Sequence, residues 1–98
     1  MRRDDALAVL RSLEHELRAQ GIAHLYLFGS VARDDAIAAS DVDVAFDLIP
    51  DAEFDGFDQG RIFMDLADAL GSPVDFVERR AFSSRFAQEV EGNLIQVF

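Results

Sequence analysis

Three aspartates and one glycine-serine turn are the residues of this sequence whose types and spacing could do chemistry. Gly29-Ser30 stands directly behind the apolar run Leu25-Tyr26-Leu27-Phe28, and Ser40-Asp41-Val42-Asp43 begins ten residues after Ser30. Asp41 and Asp43 are two apart at the start of a strand-like stretch, so their carboxylates should share one face and lie side by side. Two carboxylates that close repel unless a multivalent cation sits between them. Mg²⁺ suits that place, because it takes oxygen ligands and commonly binds through one or two protein carboxylates plus substrate phosphates. Asp75, between Val74 and Phe76 in a later strand-like run, is the candidate third carboxylate. With it, two ions about 3.5–4 Å apart could clamp the attacking and leaving oxygens of a phosphoryl transfer. A Gly-Ser turn between a strand and a short helix supplies a matching anion site, since the first N–H groups of a helix are free.

Each motif alone has a plainer reading. An Asp-X-Asp at a strand end is usually a pair of solvated edge carboxylates, and a Gly-Ser after a strand is most often a turn with a helix cap. Turn, spacer, carboxylate pair and a strand-borne third aspartate in this order carry more weight than any one of them.

The elements that must position these residues follow from periodicity. Ala6, Leu10, Leu13 and Leu17 fall at helical spacing, which predicts a helix over 5–20 closed by Gly21. Residues 22–28 read as a strand buried on both faces, ended by Gly29. Ser30 is placed as the N-cap of a short helix over 31–35. Val42 to Leu48 reads as a second strand and 50–56 as an acidic loop, and Ile62, Phe63, Leu66 and Leu70 predict a helix over 57–70. Gly71-Ser72-Pro73 stops that helix, 74–77 forms a third strand, 81–91 a last helix closed by Gly92, and the apolar stretch 94–98 should dock on the core.

Composition bounds the function. A chain of 98 residues, half of them hydrophobic and nine of them Phe, suits one folded unit. Without cysteine, neither a disulfide nor a thiolate zinc site can form. No apolar run is long enough to span a bilayer and nothing resembles a signal peptide, so the cytoplasm is the expected location and no membrane partner is expected. Nine basic and 19 acidic side chains give a net charge of −10, which repels phosphate backbones and disfavours direct nucleic-acid binding. The same field favours divalent cations or a basic protein partner. Arg79, Arg80 and Arg85 read as surface, His15 and His24 as incidental. For Phe54, Phe57 and Phe63 the core is the commoner destination of helix-spaced Phe, against an exposed partner-binding patch.

Taken together, Phe28-Gly29-Ser30-Val31-Ala32-Arg33, the spacer, Ser40-Asp41-Val42-Asp43 and Val74-Asp75-Phe76 resemble the minimal nucleotidyltransferases of the DNA polymerase beta-like superfamily, over nearly the whole chain. The resemblance implies an α/β fold, a small mixed β-sheet flanked by helices, forming a single domain over 1–98. It also implies that Gly29, Ser30, Arg33 and Ser40 bind the nucleotide, that Asp41 and Asp43 bind two Mg²⁺ ions, and that Asp75 binds the catalytic ion and helps activate the attacking hydroxyl. Asp34 stands where many members carry glycine, so the loop after the short helix is expected to differ in shape. Members this short are similar to the antitoxins of two-gene toxin–antitoxin pairs. That similarity implies a HEPN-family toxin as partner and transfer of AMP from ATP to a tyrosine hydroxyl on it. The alternative is a non-catalytic acidic antitoxin that neutralises a basic toxin by stoichiometric binding, its charge steering association.

Overall fold

The computed structural model describes residues 1–98. It begins with α1 (Arg3–Ser12) and α2 (Glu14–Ala19), followed by β1 (Ile22–Phe28), the one-turn α3 (Gly29–Ala32), β2 (Val42–Leu48), α4 (Gly56–Leu70) and β3 (Val74–Glu78). A 3₁₀ turn at Arg79–Ala81 leads to α5 (Ser84–Val90), and a second at Glu91–Asn93 leads to the short β4 (Ile95–Gln96). The strand order is β3-β2-β1-β4, with β2 and β3 parallel and the other two pairings antiparallel. This is the small mixed sheet flanked by helices anticipated from the sequence.

Strand alternation sorts the side chains. Leu25, Leu27, Val42, Val44, Phe46, Val74 and Phe76 point to one face, where they meet Ala6, Leu10 and Leu17 of α1 and α2 and Ile62, Leu66 and Leu70 of α4. Tyr26, Phe28 and Ala45 point to the other, against Val77, Phe82, Val90 and Leu94. That second face is thinly covered, since α5 buries no residue of its own. Period-two alternation sends Asp43, Asp47 and Asp75 to this same face.

Several local expectations are corrected. The helix expected over 5–20 is two helices, broken at Leu13, whose N–H reaches Leu10 O in a tight i→i−3 bond of 3.1 Å. The short helix begins at Gly29, not Val31, and Ser30 makes no capping bond. Gly29 at φ +73° turns the chain one residue before a serine cap would. The last helix starts at Ser84, where Ser83 Oγ accepts the Phe86 N–H (3.1 Å), and Gly92 lies inside the second 3₁₀ turn and closes no helix. The terminal stretch docks as a strand, β4, in register Leu27↔Ile95.

The core placement expected for Phe57 and Phe63 also fails. Phe54 rests on Phe46 with ring centres 5.6 Å apart, but Phe57 is 87% exposed and Phe63 41%. The buried stripe of α4 is Ile62-Leu66-Leu70. At about 100° per residue, Phe63 sits about 100° and Phe57 about 140° away from Ile62. No helix is long and apolar enough to cross a membrane.

Candidate active site

Register places the chemistry in one row. Phe28 on β1 is opposite Asp43 on β2, and Asp43 is opposite Asp75 on β3. Adjacent strands lie about 4.8 Å apart, so Asp43 and Asp75 are near neighbours on the thinly covered face. Gly29 is the next residue after Phe28 and closes the row.

Glycine is demanded there twice over. Its φ of +73° lies in the left-handed region, and a Cβ at this position would fall 2.9 Å from Asp43 Cγ. The turn and the carboxylate are therefore packed against each other with no room for a side chain between them.

Asp43 is half-buried and Asp75 exposed. Burial pushes the Asp43 carboxyl above its ordinary titration range, the charges of Asp75 and Asp41 push it further, and Arg33 acts in the opposite sense. A cleft of about 570 Å³ gathers Gly29, Ser30, Arg33, Asp43 and Asp75 with Phe28 and, from α5, Phe86, Glu89 and Val90. Five of the seven residues singled out in the sequence thus line one cavity.

The other two do not. Asp41 is exposed just before β2 begins, and Ser40 is committed to its loop, its hydroxyl accepting the Ile37 N–H (3.1 Å). Arg33 lines the cleft while its Nε donates to Asp35 (3.2 Å), an exposed pair of little strength. Asp34, which stands where the resembled family often carries glycine, takes the glycine-like φ of +60°. Its carboxylate accepts the Arg3 N–H at the start of α1 (3.0 Å), and that bond, aided by the Arg3 charge against a small burial cost, holds its carboxyl below the usual range.

No three His, Cys, Asp or Glu side chains close into a metal cage by themselves. The donor set nevertheless fits a Mg²⁺ ion arriving with a triphosphate, which needs only one or two protein carboxylates. Burial first, and repulsion from Asp75 and Asp41 after it, raise the Asp43 carboxyl, and a divalent cation would relieve the repulsive part.

The residues missed by sequence reasoning come from α5. Glu89 pairs with Arg85 at 3.2 Å, an i,i+4 arrangement that reads as ordinary surface. The available signal was the spacing Phe82, Phe86, Val90, an apolar stripe on an otherwise polar segment. Phe28, Phe82 and Phe86 form an edge-to-face trio with ring centres 4.9–6.0 Å apart, and this holds α5 over the sheet. Arg79, read as surface, is exposed and in addition makes two bonds to Asp47 (2.9 and 2.8 Å) and lies 4.7 Å over the Tyr26 ring.

Comparison with known proteins adds independent findings. A family model described as Polymerase beta, Nucleotidyltransferase matches residues 11–98. No curated protein gives a significant match. Among solved structures, one of a minimal nucleotidyltransferase is 29% identical, with a TM-score of 0.76 over 97% of this chain and 95% of that one. A toxin–antitoxin structure with AMP-PNP is 25% identical, with a TM-score of 0.70 over 100% of this chain and 73% of the other. A tri-AMPylated HEPN toxin in complex with MNT antitoxin, from Shewanella oneidensis, is 25% identical with a TM-score of 0.67, over 95% of this chain and 71% of that chain.

Proposed function

The chain belongs to the polymerase beta nucleotidyltransferase family, and from that premise we propose that it is a Mg²⁺-dependent antitoxin that transfers AMP from ATP to a tyrosine hydroxyl of a HEPN-family toxin in the cytoplasm. The observation that carries this reading is the packing of Asp43 against the side-chain-free turn at Gly29, in register with Asp75. It joins an anion-binding turn to a carboxylate pair in one cleft. The likeness to structures containing a toxin–antitoxin pair with AMP-PNP and an AMPylated HEPN toxin supports the choice of nucleotide and partner.

The roles follow from position. Gly29 and Ser30 leave the turn open for the triphosphate beside Asp43. Arg33, held only by an exposed ion pair, is free to swing onto the phosphates. Asp43 and Asp75, with Asp41 just ahead of β2, would hold Mg²⁺, which when bound would neutralise the phosphates and acidify the acceptor hydroxyl. Asp75, solvent-facing on the edge strand β3, takes up the hydroxyl proton. The tyrosine oxygen then bonds to the α-phosphorus while the bond from that phosphorus to the bridging oxygen of the β-phosphate breaks, and pyrophosphate leaves.

Co-production with the partner toxin tests this. Asp43→Asn should lose protection by at least about a hundredfold while still binding the toxin, as expected when a metal ligand is removed from a phosphoryl-transfer site. Full protection by that variant would favour the stoichiometric, non-catalytic antitoxin.

A further inference from the structure

The cleft makes no use of the outer face of α4. α4 buries Ile62, Leu66 and Leu70 against the sheet and turns Phe57, Phe63 and Met64 outward, 87%, 41% and 63% exposed. Between them lies a shallow hollow of about 610 Å³ floored by Gly60. Nothing stands within 4 Å of where a Cβ on Gly60 would be. A glycine inside a helix weakens that helix, yet here it keeps the floor of the hollow flat enough for another backbone to approach.

Charge selects the occupant. The rim carries Asp65 and Asp68, and the one cation beside them, Arg61, is already paired with Asp58 at 2.8 Å. Two copies meeting across this hollow would oppose like charges on chains of net charge −10, which disfavours self-association. An apolar ridge flanked by basic side chains would match both the hollow and its rim.

We propose that the outer face of α4 is a docking surface for a helix of the partner toxin, one that presents an apolar ridge bordered by Lys or Arg. The inference rests on the antitoxin reading and adds a second contact surface to the cleft that reading uses. Since α4 covers the sheet face opposite Asp43 and Asp75, docking there holds the toxin without filling the cleft. It governs binding and leaves the chemistry untouched.

The test compares the unmodified chain with the double variant Phe57→Ser, Met64→Ser, both positions being exposed enough to leave the fold intact. Calorimetric titration with the cognate toxin, steady-state AMP transfer, and sedimentation of the free chain are measured together. The expected result is a monomeric free chain, and for the variant a Kd and KM raised by about tenfold or more with kcat unchanged. A variant with unaltered Kd and KM overturns the docking surface and leaves the proposed function standing. A free-chain dimer that the variant dissolves assigns the face to a second copy and also overturns the proposal. An unmodified chain that neither binds nor modifies the toxin removes the antitoxin reading, and this inference with it.

Discussion

The Asp43 carboxyl is raised above the ordinary carboxylate range by burial first and by Asp75 and Asp41 after it, with Arg33 opposing. Ionising such a group costs the folded state more than the unfolded one. The penalty is fully present above the folded titration point, fades as pH falls through it, and is gone below the unfolded value of about 3.9. Asp43→Asn keeps the shape and removes the charge, so in the absence of nucleotide it should raise Tm by about 2–5 °C at neutral pH, with the gain vanishing below about pH 4. Thermal melts across that range check it, and a Tm that falls at neutral pH would mean the carboxylate is already compensated within the protein. At this scale the sequence drew attention to Gly29, Ser30, Arg33, Asp43 and Asp75, which the fold gathers in one cleft, but its period-of-two pairing of Asp41 with Asp43 stops short, because β2 begins only at Val42 and Asp41 stands outside the cleft. The sequence was uninformative about Ser40, whose hydroxyl is used by the Ile37 N–H inside an irregular loop with no period to read.

Among the elements, the C-terminal segment is the one whose hold on the sheet is easiest to break. α5 forms a wall of the cleft yet buries no residue. It is anchored by the phenylalanine trio and, just upstream, by Arg79 bonded twice to Asp47, which also accepts the Tyr26 hydroxyl (2.9 Å). Burial alone would raise the Asp47 carboxyl, but the bonds from Arg79 and Tyr26 outweigh it and hold the group below its usual range. A depressed carboxyl adds stability that is present above the unfolded titration point and lost as pH falls through the folded one. Asp47→Asn should therefore cost about 1 kcal/mol at neutral pH, a figure discounted for the partly exposed arginine, and cost little once pH has fallen below the lowered titration point of Asp47. It should also speed amide exchange across Ser84–Val90. Unchanged exchange and equal stability would show that the phenylalanines hold α5 by themselves. Sequence reasoning found β1, β2 and α4 nearly to the residue, since long apolar runs and a helical apolar period stopped by Gly71-Ser72-Pro73 are strong signals. It missed β4, a pairing of two residues that only the waiting edge of β1 makes into a strand.

For the whole molecule, the sheet divides two jobs. One face carries the carboxylate cleft beneath a thin cover, and the other carries α4 with its outward phenylalanines, on a chain whose net charge of −10 favours basic partners. The mixed sheet was legible through the resemblance of the motifs to the nucleotidyltransferase family, which implies it. The exposed face of α4 was not, because the core is the commoner place for a helix-spaced phenylalanine and only the phase of Ile62-Leu66-Leu70 shows which residues fall outside it. The central claim is that the Asp43–Asp75 cleft moves AMP onto the partner. It is tested most directly by intact-mass spectrometry of the purified toxin after incubation with this chain, Mg²⁺ and ATP, alongside the Asp43→Asn protein. The account predicts a gain of one or more AMP units, mapped to tyrosine, with the unmodified chain and none with the variant; a toxin that binds tightly and keeps its mass would contradict it.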